Sequence, residues 1–319
     1  LLRQQFAGFN FQVNERRSDF SIGLGLLMVA IFWGANNAAT KYLVHTWPAD
    51  WVGGTRLLCA GFLMMAIFRF TPFFGKLTPI NRELNLQLWL RPGLWLGIYI
   101  LVFTWALRFS PASHVVLYLG TSPIWTLLWD HPPSRTWASF QRYLAALMAT
   151  CGVLVLFWPT LGQGKSGWIG EVLGMMCSIL WANYGIQGRH VSKYLSGVEL
   201  SAHSMWRAGL ITSPLALYQL GKGNVVWRTD LVLVQIFCIV FGGVVAYAFW
   251  NIGLKAWPTS KVYLFNNLMP ITTMAFSYWF LNEPVTRTFT VAMILVAGGV
   301  ILGQTRWEKI LGEKWFPPD

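Results

Sequence analysis

The sequence predicts an all-α integral membrane protein: ten transmembrane helices in two inverted five-helix repeats, with the N- and C-termini cytoplasmic. Three observations carry that expectation. The first is composition. Of 319 residues, 55% are hydrophobic and 11% are charged, with 19 Trp and 22 Phe. A soluble domain carries about 25% charged residues, so this chain has no polar coat with which to meet water. The second is a repetition. Residues 106–124 read ALRFSPASHVVLYLGTSPI and residues 253–271 read GLKAWPTSKVYLFNNLMPI, aligning without gaps at Leu107/Leu254, Pro111/Pro258, Ser113/Ser260, Pro123/Pro270 and Ile124/Ile271. Self-similarity at about half the chain length points to two copies of one unit. The third is the placement of Lys and Arg, which accumulate in cytoplasmic loops. With the N-terminus inside, the cytoplasmic set runs from Arg3, Arg16 and Arg17 through Arg69, Lys76, Arg82, Arg91, Arg135, Arg142, Arg189, Lys193, Lys255 and Lys261 to Arg306, Lys309 and Lys314. The opposite side holds only Arg108, Lys165, Lys222, Arg228 and Arg287.

A spanning helix needs about 20 mostly apolar residues. Taken in order, the candidate spans are roughly 19–44, 50–70, 92–109, 111–130, 139–159, 167–190, 199–220, 231–254, 259–281 and 286–305. Residues 1–18 lack the apolar core and cleavage site of a signal peptide and read as a polar cytoplasmic lead-in. Residues 19–160 then form the first repeat, 167–305 the second, and 306–319 a cytoplasmic tail. Pro48, Pro111, Pro258 and Pro284 mark turns or first helical positions. The halves echo one another elsewhere too: Trp33 with Trp181, Arg56 with Arg207, and Cys151-Gly152 with Gly298-Gly299. Five helices is an odd number, so the second copy crosses the membrane in the opposite sense. Inverted repeats of this kind characterise secondary transporters, with the substrate site near the midplane.

Several classes are disfavoured. The net charge of +12 invites a nucleic-acid reading, but the basic residues sit singly or in pairs between apolar runs, as membrane loops require. No nucleic-acid partner is expected. Cys59, Cys151, Cys177 and Cys238 lie in apolar segments without a CxxC motif. They read as packing residues, and neither a metal nor a cofactor is expected. No Walker A loop, HExxH or GxSxG motif occurs.

The segments IFWGANNAATKYLV (31–44), GTRLLCAGFLMMA (54–66), GEVLGMMCSILWANYGI (170–186) and WFLNEPVTRTFTVAMILVAGGVILG (279–303), with the two Pro-bearing helices, carry a family resemblance. In order and doubled occurrence they resemble the drug/metabolite transporter superfamily, in its EamA-type ten-helix members, from about Phe20 to Gln304. Asp130-His131 stands in the first half where the family often places a Glu-containing turn. The resemblance implies transport of small organic solutes, often outward, and a bacterial cytoplasmic (inner) membrane as the setting. An enzyme is not expected.

A charge inside a membrane helix costs about 2.5–3.5 kcal/mol on insertion scales, so it faces a cavity or a partner. Arg56 shares a face with Gly53 and Ala60, and Arg207 follows His203 by one turn. Both suit capture of an anionic or carboxylate-bearing solute; the alternative is a packing cation bonded to helix carbonyls. Polar stripes recur on five helices: Trp33, Asn36, Asn37, Thr40 and Lys41; His114, Tyr118, Thr121, Ser122 and Trp125; Tyr184 and Gln187; Tyr247, Trp250 and Asn251; Tyr263, Asn266 and Asn267. A shared polar cavity explains them together, whereas single residues among them can be interhelical hydrogen bonds worth about 0.6 kcal/mol. Pro123 and Pro270, inside their helices, are candidate hinges or static kinks. Asp130, Glu171 and Glu283 fall near the ends of the spans, which does not support a buried proton relay. Gly299 and Gly303 have GxxxG spacing, read as packing within the monomer ahead of a weak homodimer.

The expected function is a secondary transporter, an exporter or exchanger, of a small polar or amphipathic metabolite such as an amino acid. A membrane-embedded receptor, scaffold or enzyme is the alternative. The orientation has a direct check. A fluorescent protein fused to the C-terminus should fold and fluoresce in bacterial cells, and alkaline phosphatase fused there should stay inactive. Phosphatase activity at that position would reverse the topology.

Overall fold

The computed structural model describes residues 2–130, 136–159, 165–257, 262 and 264–304, and for residues 2–18 the backbone alone. Among them regular structure is all helical. Helix α1 (Leu2–Thr46) is continuous, so the expected lead-in is helical in its backbone. It stops before Trp47-Pro48, because a proline drives the residue ahead of it out of the helical region. Trp47 donates its indole N–H to the Val226 carbonyl at 2.6 Å, which holds the turn down. Helix α2 (Ala49–Phe70) follows.

Helix α3 runs over Arg82–Phe109. Its N-cap Asn81 accepts the Leu84 amide at 2.8 Å, satisfying one orphan donor of the first turn. Pro92 cannot donate to the ladder, and residues Trp89–Gly93 form a π-helical turn around it. The span expected at 111–130 is two helices, α4 (Ala112–Leu119) and α5 (Ser122–Asp130). Pro123 is the second residue of α5, so it lies in a first turn and not within a helix. Its missing N–H ends the preceding helix at Leu119. Helix α6 (Trp137–Phe157) opens on Thr136, whose side chain accepts the Ser139 amide.

Helix α7 (Lys165–Val191) begins the second half of the chain. Helix α8 (Gly197–Gly221) starts with a capping box of Ser196 and Glu199. Helix α9 comprises Thr229–Phe237, a π-helical stretch Cys238–Val245, and Ala246–Ala256. A 3-10 turn at Leu264–Leu268 leads into α10 (Met269–Leu281), with Pro270 in its first turn. Pro270 thus repeats the position of Pro123: a start, not an interior kink. Asn282 closes α10 in the left-handed conformation, φ 55°, which Asn tolerates better than most residues. Helix α11 (Arg287–Gln304) is last.

Six described helices are long and apolar enough to cross a membrane: Asp19–Thr46, Ala49–Phe70, Arg82–Phe109, Ser139–Phe157, Trp168–Val191 and Thr229–Gly253. A shorter apolar helix covers Arg287–Gly303. The outside of the bundle is apolar, with Phe62, Leu147, Leu154, Leu217, Leu233 and Ile294 all exposed. Exposed apolar surface on that scale belongs against lipid tails.

Two antiparallel helix pairs are closest. Helices α2 and α8 cross where a Cβ on Gly209 would lie 2.5 Å from the Leu58 Cα. Leu58 and Gly209 each follow their half's arginine, Arg56 or Arg207, by two positions. Helices α6 and α11 meet at Gly152 against Val296 and at Gly299 against Ala145 and Ala149. Gly299 of the GxxxG spacing is therefore used inside the chain. Small residues at such crossings let backbones approach and gain dispersion contacts. The crossing makes a local prediction. Gly61→Ala puts a methyl into the Trp206 backbone and should cost about 1–3 kcal/mol through overpacking. Gly185→Ala meets open space and should cost nothing. Thermal unfolding in detergent compares them, and equal midpoints would refute the tight crossing.

Candidate functional site

The side chains singled out above gather into three clusters. The central one surrounds Arg56. Its Nη1 donates to the Thr40 hydroxyl at 2.7 Å, and Thr40 donates in turn to the Asn36 carbonyl at 2.7 Å. The guanidinium carbon lies 5.8 Å from the Phe103 ring centroid. Tyr99, Tyr247 and Cys238 are near enough to feel the Arg56 charge. Aromatic rings continue the wall on both sides. Trp33 meets Tyr247 edge-on and Trp250 tilted, each at 5.3 Å, and Trp181 bridges Tyr99 at 5.0 Å to Tyr184 at 5.3 Å. Helices α1, α2, α3, α7 and α9 all contribute, which is what a site between two halves requires.

The π-helical stretch of α9 places its own atoms here. Gly242 packs against the Asn36 side chain, and its carbonyl accepts the Trp33 indole N–H at 3.1 Å. A Cβ on Gly243 would stand 2.8 Å from the Ala60 Cβ, so only glycine allows this approach. Asn37 donates to Thr273 of α10 at 3.2 Å, tying α1 to the helix that follows the 3-10 turn. Among the described residues no carboxylate bonds Arg56.

Arg207 sits in a second cluster. Its guanidinium lies 4.1 Å from the Trp206 ring and 5.6 Å from Trp89. Nη1 meets His203 Nδ1 at 2.9 Å and Nη2 donates to Asn85 at 2.6 Å. Both Asn85 and Trp89 come from α3 at or beside its π turn, where Gly93 gives the arginine stem room. Cation–π contacts and hydrogen bonds hold Arg207 against α3, and its buried Nε has no hydrogen-bond partner. Gln187, one turn from Tyr184, accepts from Arg91 at 3.2 Å. Asn251 turns its amide N–H back to the Tyr247 carbonyl at 2.7 Å and packs on Gly197.

The third cluster joins the α4–α5 stripe to helix α7. His114 and Tyr118 bond Glu171, and Thr121 and Trp125 bond Ser178. Glu171 Oε1 accepts from the Ser110 hydroxyl at 2.9 Å and meets His114 Nδ1 at 2.9 Å. Glu171 Oε2 accepts from the Tyr118 hydroxyl at 2.5 Å. Thr121 and Trp125 meet the Ser178 hydroxyl at 2.7 and 2.9 Å. Ser122 opens α5 and is partly buried. Nearby, Lys41 donates to the Leu107 and Ser110 carbonyls at 2.7 and 2.8 Å, so it caps α3. Glu283 accepts the Ala112 amide at 2.9 Å and the Ser113 hydroxyl at 3.2 Å, capping α4 across the fold. Asn266 is partly buried within the 3-10 turn; Tyr263 and the side chains of Asn267 and Pro123 lie outside the described residues.

Tyr99, Phe103 and Glu171 were not among the expected site residues. Tyr99 and Phe103 stand in an unbroken apolar run, WLGIYILVF (95–103), and carried no pattern to mark them. Glu171 has a legible signal: it falls between Gly170 and Gly174, which allow close approach of Ser110 and Tyr118. Placing it near a helix end hid its burial.

The chain is an apolar helical bundle with aromatic and cationic groups gathered at Arg56, and its family makes it a transporter, not an enzyme. It belongs to the EamA-like transporter family, whose profile matches residues 21–158 and again residues 168–303. The uncharacterized transporter YyaM of Bacillus subtilis is 26% identical over 300 residues, covering 88% of this chain and 92% of its own. The Escherichia coli K12 protein named probable amino-acid metabolite efflux pump is 22% identical over 299 residues, covering 90% and 96%. The uncharacterized inner membrane transporter YedA of the same strain is 24% identical over 290 residues, covering 88% and 84%. One crystal structure superposes with TM-score 0.58 at 17% identity, over 89% of this chain and 96% of that one, which is a likeness of fold.

The contrast between the arginines is measurable. Arg207→Leu removes the contacts to Trp206, Trp89, His203 and Asn85 and should cost about 2 kcal/mol or more. Arg56→Leu should unfold within a few degrees of wild type in the same detergent. A fully stable Arg207→Leu protein would remove the structural role.

Proposed function

We propose that the chain is a secondary transporter, exporting or exchanging a small polar or amphipathic metabolite such as an amino acid. On this reading ten helices form two inverted repeats, residues 19–160 and 167–305, with both termini in the cytoplasm of a bacterium and the protein in its inner membrane. The halves rock about the central cluster so that it opens to each side in turn. Pro123 and Pro270, each after a break in its helix, are the paired hinges, and the π-helical stretches of α3 and α9 are further yielding points.

The observation that carries this reading is Arg56. It is a cation buried in an apolar bundle, bonded by one N–H to Thr40, with no carboxylate bonded to it among the described residues. A guanidinium has five N–H donors and takes carboxylates bidentately. The solute's carboxylate would supply the missing partner, and Trp33, Trp181, Tyr184 and Tyr247 would hold its apolar part. The efflux-pump name of the Escherichia coli relative is in keeping with that chemistry.

The test is counterflow in proteoliposomes loaded with each unlabelled amino acid in turn. Wild type should accumulate at least one labelled amino acid. Arg56→Gln should weaken its apparent affinity by about tenfold or more, the factor for one charge-assisted bond. Folded Arg207→Gln should retain affinity. Unchanged affinity in Arg56→Gln would end the capture role, and no counterflow with any amino acid would end the substrate class.

A further inference from the structure

The loop between α2 and α3 encloses a cavity that the transport reading does not use. Helix α2 ends at Phe70, where the Thr71 amide and hydroxyl both donate to the Ile67 carbonyl, at 2.9 and 2.7 Å. The chain then folds back on itself. The Gly75 amide donates to the Pro72 carbonyl at 3.1 Å, and Gly75 takes a φ of 88° that a Cβ would oppose. Phe74 is thereby laid on Phe68, with ring centroids 5.1 Å apart. Where the loop leaves the helix a cavity of about 300 Å³ remains. Its lining is apolar at Phe68, Pro72 and Leu77 and cationic at Arg69 and Lys76.

The charge of this lining is unbalanced. No carboxylate lines the cavity, and among the described residues neither Arg69 nor Lys76 pairs with one. A phosphate takes both kinds of donor, the guanidinium by two parallel N–H bonds and the ammonium as a point charge. Depth narrows the ligand further. Helix α2 is long and apolar enough to cross a membrane, so the turn that follows it lies at headgroup level whichever way the chain is oriented. Beside the cavity Phe70 and Phe73 are 82% and 70% exposed, and apolar rings at that depth are covered by acyl chains. A phospholipid meets all three surfaces: its phosphate suits the cations, its glycerol carbons suit Phe68 and Leu77, and its chains suit Phe70 and Phe73. A free phosphate would use the cations alone.

We propose that this cavity seats the headgroup of an anionic phospholipid, with its phosphate between Arg69 and Lys76. Net charge selects the lipid. Phosphatidylglycerol brings one negative charge to two cations, whereas the choline of phosphatidylcholine brings a third cation. Next along the loop, the Thr78 amide donates to Glu199 of α8 at 2.6 Å, so the lipid fastens the segment that ties α2 to α8. The inference is independent of the solute and of the transport reading.

Native mass spectrometry of the full-length protein in neutral detergent, titrated with phosphatidylglycerol or phosphatidylcholine of matched chains, tests it. Wild type should bind its first phosphatidylglycerol about tenfold or more tightly than its first phosphatidylcholine. Each cation near an anionic lipid contributes roughly fivefold, so Arg69→Gln with Lys76→Gln should weaken phosphatidylglycerol about twenty-five-fold and leave phosphatidylcholine unchanged. Both side chains are exposed, so the variant should fold, and the exchange Arg69→Lys with Lys76→Arg should keep the preference. Arg82 and Lys193 are exposed cations at the same end of the bundle, where Leu84 and Leu88 pack with Val191 and Leu195. Neutralising that pair as Arg82→Gln with Lys193→Gln should change binding less than about twofold, because neither lines the cavity. Glycerol 1-phosphate at the lipid's concentration should not displace it. Equal affinity for the two lipids, equal losses in the two neutralised pairs, or displacement by glycerol 1-phosphate would overturn the proposal. None of those results bears on transport.

Discussion

A cation inside an apolar bundle must be given its partners by the protein, and the rest of this structure depends on how that is done for Arg56 and Arg207. Arg207 is held on one side by two indole rings, a histidine and an amide against the π turn of α3, while its Nε is buried without a hydrogen-bond partner. Arg56 is held by one hydroxyl and one ring, inside a wall of tryptophan and tyrosine. Equivalent positions have thus been put to different uses. Arg207 bonds residues of its own helix and of α3, and Arg56 bonds Thr40 of α1.

The close crossings make this division possible. Helices α2 and α8 bring both arginine-bearing segments together through glycines that leave no room for a Cβ. Each arginine lies two residues ahead of the crossing point, and because the helices run antiparallel the two guanidiniums are carried to opposite sides of it. A pair of parallel helices would have brought them side by side, with like charges opposed. The π-helical stretches in α3 and α9 complete the arrangement, each offering glycine where the opposite half approaches. Gly93 takes the Arg207 stem, and Gly242 and Gly243 take Asn36 and Ala60.

The cluster around Glu171 is a different construction. Lys41, Arg108 and Glu283 bind backbone groups, and Glu171 binds side chains, so four helices and a turn are joined through charged groups that water could otherwise solvate. Such charge-assisted bonds are strong when dry and are lost cooperatively when water enters.

Composition and repetition alone determined the class. Low charge, long apolar runs and the doubled proline segment left little besides a membrane bundle of two related halves, because lipid admits only helices or closed barrels and periodicity is local information. The arginines, tryptophans and asparagines of the central cluster were legible for the same reason, since a polar group in an apolar run is costly wherever it points. The sequence could not decide the pairing. Whether His114 meets a solute or Glu171, whether Arg207 is free or bound, and whether Pro123 bends a helix or starts one all depend on which segment lies alongside. Tyr99 and Glu171 show the limit most plainly: one stood in an unbroken apolar run and the other near the end of a span. Only the tertiary structure, by bringing α3, α4 and α7 into contact at Gly170 and Gly174, turned them into parts of a site.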